Sequence, residues 1–420
     1  MSVRSVRRSR MTASAPTGLI MTAGGARGAY QAGALAELLP ILTLQGAAPT
    51  VVVGESVGAL NAVVLAAHAH RTPQRRAEAL LEHWAAASRS RVLRPLWQQM
   101  PRVALNYVGE TFGVPGLALR GLLSVAPLRR MLEREIQWDR IHANLAGGVV
   151  ETVAVTATAV TTGRSVTFVD RRPARGIPVS RDLDYERARL GVDHVMASAA
   201  IPALFPPVWV AEPAHASAWY VDGSTRLHTP LRPAIDLGAE RLVIVGTTSL
   251  RPRQPRDLDH GTVDVGDTAV TLLHAMVEDS LRRDVARLAH VNAHMVGDGP
   301  AYAAIHELRD AQGKPPYRTV PFIAIAPDDP YEIGDLALQI FRSRYSGWRA
   351  LRDPDLEIMH RLLGSDSPLQ GEVLSFVLFD EVFHRELIAR GRRDARAWLD
   401  EHSGEVFRTT LPESLERAQR

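Results

Sequence analysis

Apolar positions in this chain gather in short runs, each followed at once by a glycine-bearing turn and then by an alanine- and leucine-rich stretch of helical period. Gly18 to Ala23 is one such run and reads as a buried strand, with Gly24, Gly25 and Gly28 directly behind it. Ala29 to Leu39 then places Ala32, Leu35, Leu38 and Leu39 on one helical face, with Pro40 as the expected stop. The unit repeats: Thr50 to Val53 is a β-branched strand, Gly54 to Gly58 a turn, and Ala59 to Ala69 an alanine-rich helix. Two successive βα units predict an α/β fold, with a central, mostly parallel sheet sandwiched by helices.

Further strands are expected at Glu151 to Val160, Ser165 to Val169, Trp219 to Val221, Arg241 to Gly246 and Pro321 to Ile325. Ser124 to Glu135 reads as a helix with Pro127 near its start. Arg171 to Asp184 and Arg251 to Asp267, rich in Pro, Arg and Asp, read as surface loops. After Asp329 the pattern is mostly helical, including Leu336 to Phe341 and Gln370 to Leu387. The expected organisation is a basic flexible tail over residues 1–16, a catalytic domain over 17–330 and a helical extension over 331–420 packed on it.

Between the second βα unit and the third strand, Ser88 to Leu123 carries Trp97, Met100, Tyr107, Phe112 and Leu117 among Arg89, Arg91, Arg94 and Arg102. Two readings stand: an interfacial cover whose aromatics enter lipid while its arginines meet phosphates, or a segment packed on the sheet.

Composition narrows the chemistry. The 420 residues contain no cysteine, which removes disulfides, thiolate metal sites and cysteine nucleophiles. The net charge of +3 offers no dense basic stripe, so nucleic acid is not an expected partner. There is no apolar run of the roughly 18 residues that a membrane-spanning helix needs. Arg4, Arg7, Arg8 and Arg10 are followed by small and polar residues rather than by the apolar core of a signal peptide, so the tail reads as disordered or as an electrostatic tether. A cytoplasmic protein, peripheral at a membrane, is the expectation.

Gly54-Glu55-Ser56-Val57-Gly58 spells G-x-S-x-G between a strand and a helix, the arrangement of a nucleophile elbow. A sharp turn lifts the serine hydroxyl above the sheet edge, glycine on either side keeps neighbouring backbone clear, and the helix N-terminus favours developing negative charge. An oxyanion needs backbone N–H donors, and Gly24 and Gly25 lie on the turn of the preceding βα unit. Arg27 holds that loop in shape, neutralises an anionic head group, or is an ordinary surface arginine at the start of a helix. A serine hydroxyl also needs a base, and Asp222, after the strand Trp219 to Val221 and before Gly223 and Ser224, is the candidate.

These blocks, Gly24-Gly25-Ala26-Arg27-Gly28, Gly54-Glu55-Ser56-Val57-Gly58 and Asp222-Gly223-Ser224, resemble those of the patatin-like phospholipases in kind and in order. The stretch Ala197 to Pro207 also resembles the family's segment before the aspartate. The resemblance implies a three-layer α/β fold and a Ser-Asp dyad, with Ser56 as nucleophile, Asp222 as base and the Gly24 and Gly25 amides as oxyanion donors. It further implies acyl-ester hydrolysis of lipids, with a lipid or membrane surface as substrate and no cofactor or metal. Two departures stand out: Ala23 occupies the place of a usual third glycine, and Ser224 that of a Gly or Ala.

Other readings compete. Fifteen histidines are present and His228 lies close after Asp222, so a Ser-His-Asp esterase of the α/β-hydrolase type is one rival. In that fold, however, the elbow follows several strands, whereas Ser56 follows the second. A dinucleotide-binding loop fails because Ala23 replaces its first glycine and no acidic residue falls between Glu37 and Glu55. No His-Glu-x-x-His spacing marks a metallohydrolase. A non-catalytic patatin-fold lipid-binding or scaffold protein remains the alternative from a different class.

Overall fold

The computed structural model describes the chain except residues 1–14, 96–97, 100, 102–104, 107, 109–120, 203, 227–228, 255–264, 296–299, 314–316, 346–369, 413–414 and 416–420. Nearly all of the expected basic tail, the aromatic residues of the expected cover (Trp97, Tyr107 and Phe112) with Met100 and Leu117, Arg102 and His228 therefore lie outside the described residues.

Among the described residues, nine strands form one sheet: β1 (Thr17–Met21), β2 (Pro49–Glu55), β3 (Thr152–Ala159), β4 (Ser165–Arg171), β5 (Leu183–Arg187), β6 (Val208–Val210), β7 (Ala218–Asp222), β8 (Arg241–Val245) and β9 (Phe322–Ile325). The path runs β5-β4-β3-β2-β1-β8-β9. Pairing is parallel from β3 through β2, β1 and β8 to β9, while β4 and β7 run antiparallel to β3. Strand order reverses direction at β1, so the crevice between the loops after β1 and β8 is the place where an open α/β sheet receives ligands.

Side-chain alternation assigns the two faces. Leu19, Met21 and Val52 enter one apolar cluster while Ile20, Val51 and Val53 enter the other, the period of two expected for strands covered on both sides. Helices supply the covering layers. Against the first face lie α1 (Gly28–Leu44), α2 (Val57–Ala67) and α3 (Pro73–Ala86). α4 (Arg89–Val92), α5 (Ala126–Glu135), α6 (Trp138–Ala146) and α7 (Val192–Ser198) extend this layer. The second face is met by α8 (Leu231–Asp236) and α9 (Val265–His294), which α10 (Pro300–Ala311) follows in the chain. The chain ends in α11 (Glu332–Arg344), α12 (Gln370–Val377) and α13 (Glu381–Glu401). Every residue of α2 is buried, as suits a helix apolar all round and enclosed by others.

Several expectations are corrected. Pro40 does not end α1, which continues to Leu44. The cost of an internal proline is about 3 kcal/mol, and the next turn buries Leu42 completely, a gain of about 1.5–3 kcal/mol. The helix expected over Gln370 to Leu387 is two helices, broken after Val377. Asp380 caps the second, its Oδ1 accepting from the amides of Val382 (2.8 Å) and Phe383 (3.1 Å). The stretch Arg251 to Asp267, expected as a loop, contains the start of α9 at Val265, and β5 begins at Leu183 within the stretch expected to be a loop to Asp184. β2 extends to Glu55 and α2 begins at Val57, so the elbow turn narrows to Ser56 alone.

The C-terminal helices pack into the same core as the sheet, with Phe383, Leu387 and Ala395 of α13 in the cluster that holds α1. The α1–α13 crossing is close because Gly391 lies against the Tyr30 carbonyl and the Ala34 amide, where a Cβ would stand 2.8 Å from the Ala34 nitrogen. Gly391→Ala, despite alanine's better helix propensity, is expected to lower unfolding free energy by about 1–3 kcal/mol through overpacking. Denaturant titration against wild type measures this, and an unchanged or raised midpoint would show that the helices separate freely.

Candidate active site

Ser56 is the point at which β2 turns directly into α2. Its backbone adopts φ 53° and ψ −123°, and it is the non-glycine residue with positive φ among the described residues. Such a conformation costs about 1–3 kcal/mol and persists only where its surroundings hold it. They do so through two glycines. A Cβ on Gly54 would collide with the Gly58 carbonyl and stand 2.6 Å from Ala59 Cα, and one on Gly58 would collide with the Met21 carbonyl at the end of β1. The G-x-S-x-G spacing is therefore a packing requirement, letting strand, helix and neighbouring strand meet backbone to backbone. The Ser56 N–H donates to Ser198 Oγ at 2.8 Å, and the residue is buried.

Asp222 reaches Ser56 through sheet topology. β2 ends at Glu55, which pairs with Thr156 of β3, and β7 ends at Asp222, which pairs with Ala157. β4 occupies the other edge of β3, so β2 and β7 meet head-on along one edge, and their last residues abut. The strand expected at Trp219 to Val221 is thus present, running antiparallel to both strands it pairs with, β3 and β6. The segment Ala197 to Pro207 ties the junction from above: Ser198 holds the Ser56 amide, and the Ala200 carbonyl accepts from the Asp222 N–H at 2.9 Å.

The Asp222 carboxylate is buried and accepts hydrogen bonds from the Ser224 N–H (3.0 Å) and the Ser224 hydroxyl (2.8 Å), and the nearby Ser56 side chain also favours its charged form. Burial pushes its pKa up to about 6, and these donors hold it from rising further. Ser224, a minor departure when read as sequence, supplies one of those donors. Glu55 is also fully buried; Thr156 Oγ1 donates to its Oε1 at 3.2 Å, and burial together with the Asp222 charge drives its pKa well above the usual carboxylate range. The charged form of Glu55 is therefore disfavoured beside Asp222. Nothing in the sequence pattern singled it out beyond its place in the elbow.

The glycine loop lies beside the elbow because β1 and β2 are neighbours, with Met21 in register with Gly54. Gly24 precedes a single 3-10 turn, Gly25–Arg27, that leads into α1. Ala23 has no positive φ, so its methyl imposes no backbone strain. Its carbonyl accepts from the Thr247 hydroxyl at the end of β8. A buried side-chain network fixes the loop further. Gln31 Nε2 donates to the Thr22 (3.0 Å) and Val245 (3.1 Å) carbonyls, Asn61 Nδ2 donates to Gln31 Oε1 (2.8 Å) and the Gly28 carbonyl (3.1 Å), and Trp84 Nε1 donates to Asn61 Oδ1 (2.9 Å).

Arg27 is not a surface arginine, and of its three readings the first fits its surroundings. It is 2% exposed and ion-paired with Glu372, so it holds the loop and does not face a head group. Ser56 and Gly25 share a cavity lined by Val57, Leu60, Trp84, Val195, Phe205, Phe376 and Phe379. His83, also on its wall, is kept neutral, with burial pushing its pKa down to about 4. Among the described residues no cluster of His, Asp and Glu could hold a metal ion, and no helix is long and apolar enough to cross a membrane.

A buried serine at a strained strand–helix turn and an aspartate at the end of the strand that meets it head-on lie together at the end of the parallel strands of a three-layer α/β fold. Residues 19–235 match the patatin-like phospholipase family, and the chain belongs to that family, which implies hydrolase activity on lipids. No curated protein matches the chain. Its structure is similar to VipD from Legionella pneumophila (14% identity, 90% of this chain and 67% of that one, TM-score 0.31). It is also similar to human GIVD cytosolic phospholipase A2 bound to methyl gamma-linolenyl fluorophosphonate (13% identity, 98% and 60%, TM-score 0.41). A third is the ExoU–SpcU complex of Pseudomonas aeruginosa (17% identity, 96% and 75%, TM-score 0.23). The chain thus spans 60% of the human enzyme's length.

Removing one member of a buried ion pair strands the other, at about 3–5 kcal/mol. Because Glu372 keeps Arg253 as an ion-pair partner, Arg27→Met is expected to lose less than that, about 1–3 kcal/mol in chemical denaturation, through the hydrogen bonds to Ser375 and Glu372 that go with it. A loss under about 1 kcal/mol, the range of an exposed pair, would show this one to be dispensable.

Proposed function

We propose that the protein is a lipid acyl hydrolase that works through a Ser56 acyl-enzyme with Asp222 as its base. The single observation that carries the reading is the Ser56–Asp222 contact at the head-on junction of β2 and β7, with a carboxylate whose pKa of about 6 leaves it ionised yet basic near neutrality. An apolar cavity beside the serine suits the acyl part of an ester.

In the first half-reaction Ser56 Oγ attacks the ester carbonyl carbon as its proton passes to Asp222. The tetrahedral oxyanion is held by the backbone amides of Gly24 and Gly25 and by the N-terminal end of α2, the Arg27 and Gly28 amides of the same loop being spent on carbonyls within its 3-10 turn. Collapse breaks the bond to the alcohol portion, which leaves with the proton from Asp222. In the second half-reaction water gives a proton to Asp222, attacks the acyl-enzyme and releases the fatty acid, and Ser56 recovers its proton. The burial that raises the Asp222 pKa also strengthens its hydrogen bond to the serine. Docking on a lipid surface belongs to the same proposal, because a lipid-borne ester is met at an aggregate rather than in solution.

Ser56→Ala is expected to cut turnover of an acyl ester by several orders of magnitude, on the order of 10⁶ where a nucleophile acts in a unit with its base. Asp222→Asn should do so comparably and should abolish labelling of Ser56 by a fluorophosphonate. Activity of either variant within tenfold of wild type, free of contaminants, would overturn the dyad.

The pH profile gives an independent check. A base must be ionised, so kcat/KM should fall tenfold per pH unit below about pH 6. Ser224→Ala removes a hydrogen bond that favours the carboxylate, so its acid limb should move to higher pH. A limb unmoved, or moved to lower pH, would separate Ser224 from the base.

A further inference from the structure

The wall of the cavity opposite the elbow comes from far along the chain and beyond the stretch that matches the family. α12 lies on the glycine loop so closely that the Phe376 carbonyl occupies the space a Cβ on Gly25 would need. Arg27 staples the two together: Nε donates to Ser375 Oγ at 2.7 Å, and Nη2 donates to the Glu372 carbonyl at 3.2 Å and to its carboxylate. The guanidinium also lies 4.3 Å from the centroid of the Phe376 ring, and Arg253 makes a second ion pair with Glu372 at 3.0 Å. Phe376 is thereby fixed over the cavity.

The break between α12 and α13 completes the wall. Leu378 still donates to the Leu374 carbonyl, Asp380 turns back onto the Leu378 carbonyl at 2.9 Å, and Phe379 is left facing the cavity, half-buried. Its ring lies 6.0 Å from that of His384, which in turn meets Trp84 edge-on at 5.0 Å. Trp84 is locked by its bond to Asn61. The space these rings leave is about 60 Å³, against the roughly 300–1,000 Å³ of pockets that enclose drug-sized ligands. Such a space takes a short acyl group; a long chain meets aromatic rings that are held by buried hydrogen bonds and an ion pair.

We propose that Phe376 and Phe379 set the length of acyl chain the site accepts, and that the protein cleaves short acyl esters in preference to long ones. The proposal rests on Ser56 as the site of acyl transfer and adds to it the class of acyl group. A closely fitted apolar pocket discriminates about tenfold or more per methylene, so a few carbons suffice for a strong preference.

The test is a series of 4-nitrophenyl esters, butanoate, octanoate and dodecanoate, each below its aggregation limit, with wild type, Phe376→Ala, Phe379→Ala and the milder Phe379→Leu. Wild type should favour butanoate over dodecanoate by at least tenfold in kcat/KM. Each alanine variant should shift that ratio at least tenfold toward dodecanoate, with Phe379→Leu in between. Phe379→Leu keeps an apolar side chain at a half-buried position, so the comparison survives if an alanine variant misfolds. Binding of the same esters to Ser56→Ala, by calorimetry, reads chain-length selection without turnover. If wild type hydrolyses none of the esters while binding still ranks them short over long and the phenylalanine changes reverse the order, the serine reading fails and the length limit stands. If turnover is sound but dodecanoate equals or exceeds butanoate, or the ratio stays within twofold in all the variants, the length limit is overturned.

Discussion

Everything proposed for the site depends on how one edge of β3 is shared. β2 covers its lower part and stops at Glu55, and β7, running the other way, covers its upper part and stops at Asp222. Hydrogen-bonded pairing fixes both strand ends against successive residues of β3, Thr156 and Ala157, so the elbow serine and the aspartate are brought together by the sheet ladder itself. A ladder is stiffer than a pair of loops. The cost is local: a serine with positive φ and two buried carboxyl groups near each other, the charged form of Glu55 being disfavoured by burial and by Asp222.

The second constraint is close approach of backbone. Gly58 lets α2 rest on the end of β1, and the same contact carries the glycine loop to the elbow. The loop is then held from three directions: by Gln31, Asn61 and Trp84 from the covering helices, by Thr247 just after β8, and by Arg27 through Glu372 and Ser375 from the C-terminal helices. A fully satisfied buried network of this kind specifies one arrangement more than it adds stability. It also makes the C-terminal helices part of the cavity, so α12 is no mere ornament on a catalytic core.

Much of this was legible in the residues. The strands of the parallel core, the elbow and the glycine loop were marked by short apolar runs broken by glycine, a local signal set by sterics. Less legible were features decided by distant partners. Pro40 looked like a helix stop because its cost is local, while the burial of Leu42 that offsets it is not. The helix break at Asp380 did carry a local signal, an N-cap aspartate, but the apolar pattern ran across it. Ser224 read as a small change of residue type, and its hydroxyl acquired meaning only when Asp222 was placed beside it.

The sequence by itself determined which residues carry hydroxyl, carboxylate and conformational freedom, and in what order, because strand, turn and helix preferences act over a few positions. The tertiary structure alone decided what those groups face. That Asp222 meets Ser56 across an edge of β3, that burial raises the Glu55 pKa beside it, and that Arg27 turns inward to Glu372 all follow from pairings between residues up to 345 apart in the chain. Burial sets the charge state of such groups, and burial is a property of the assembled layers rather than of any segment.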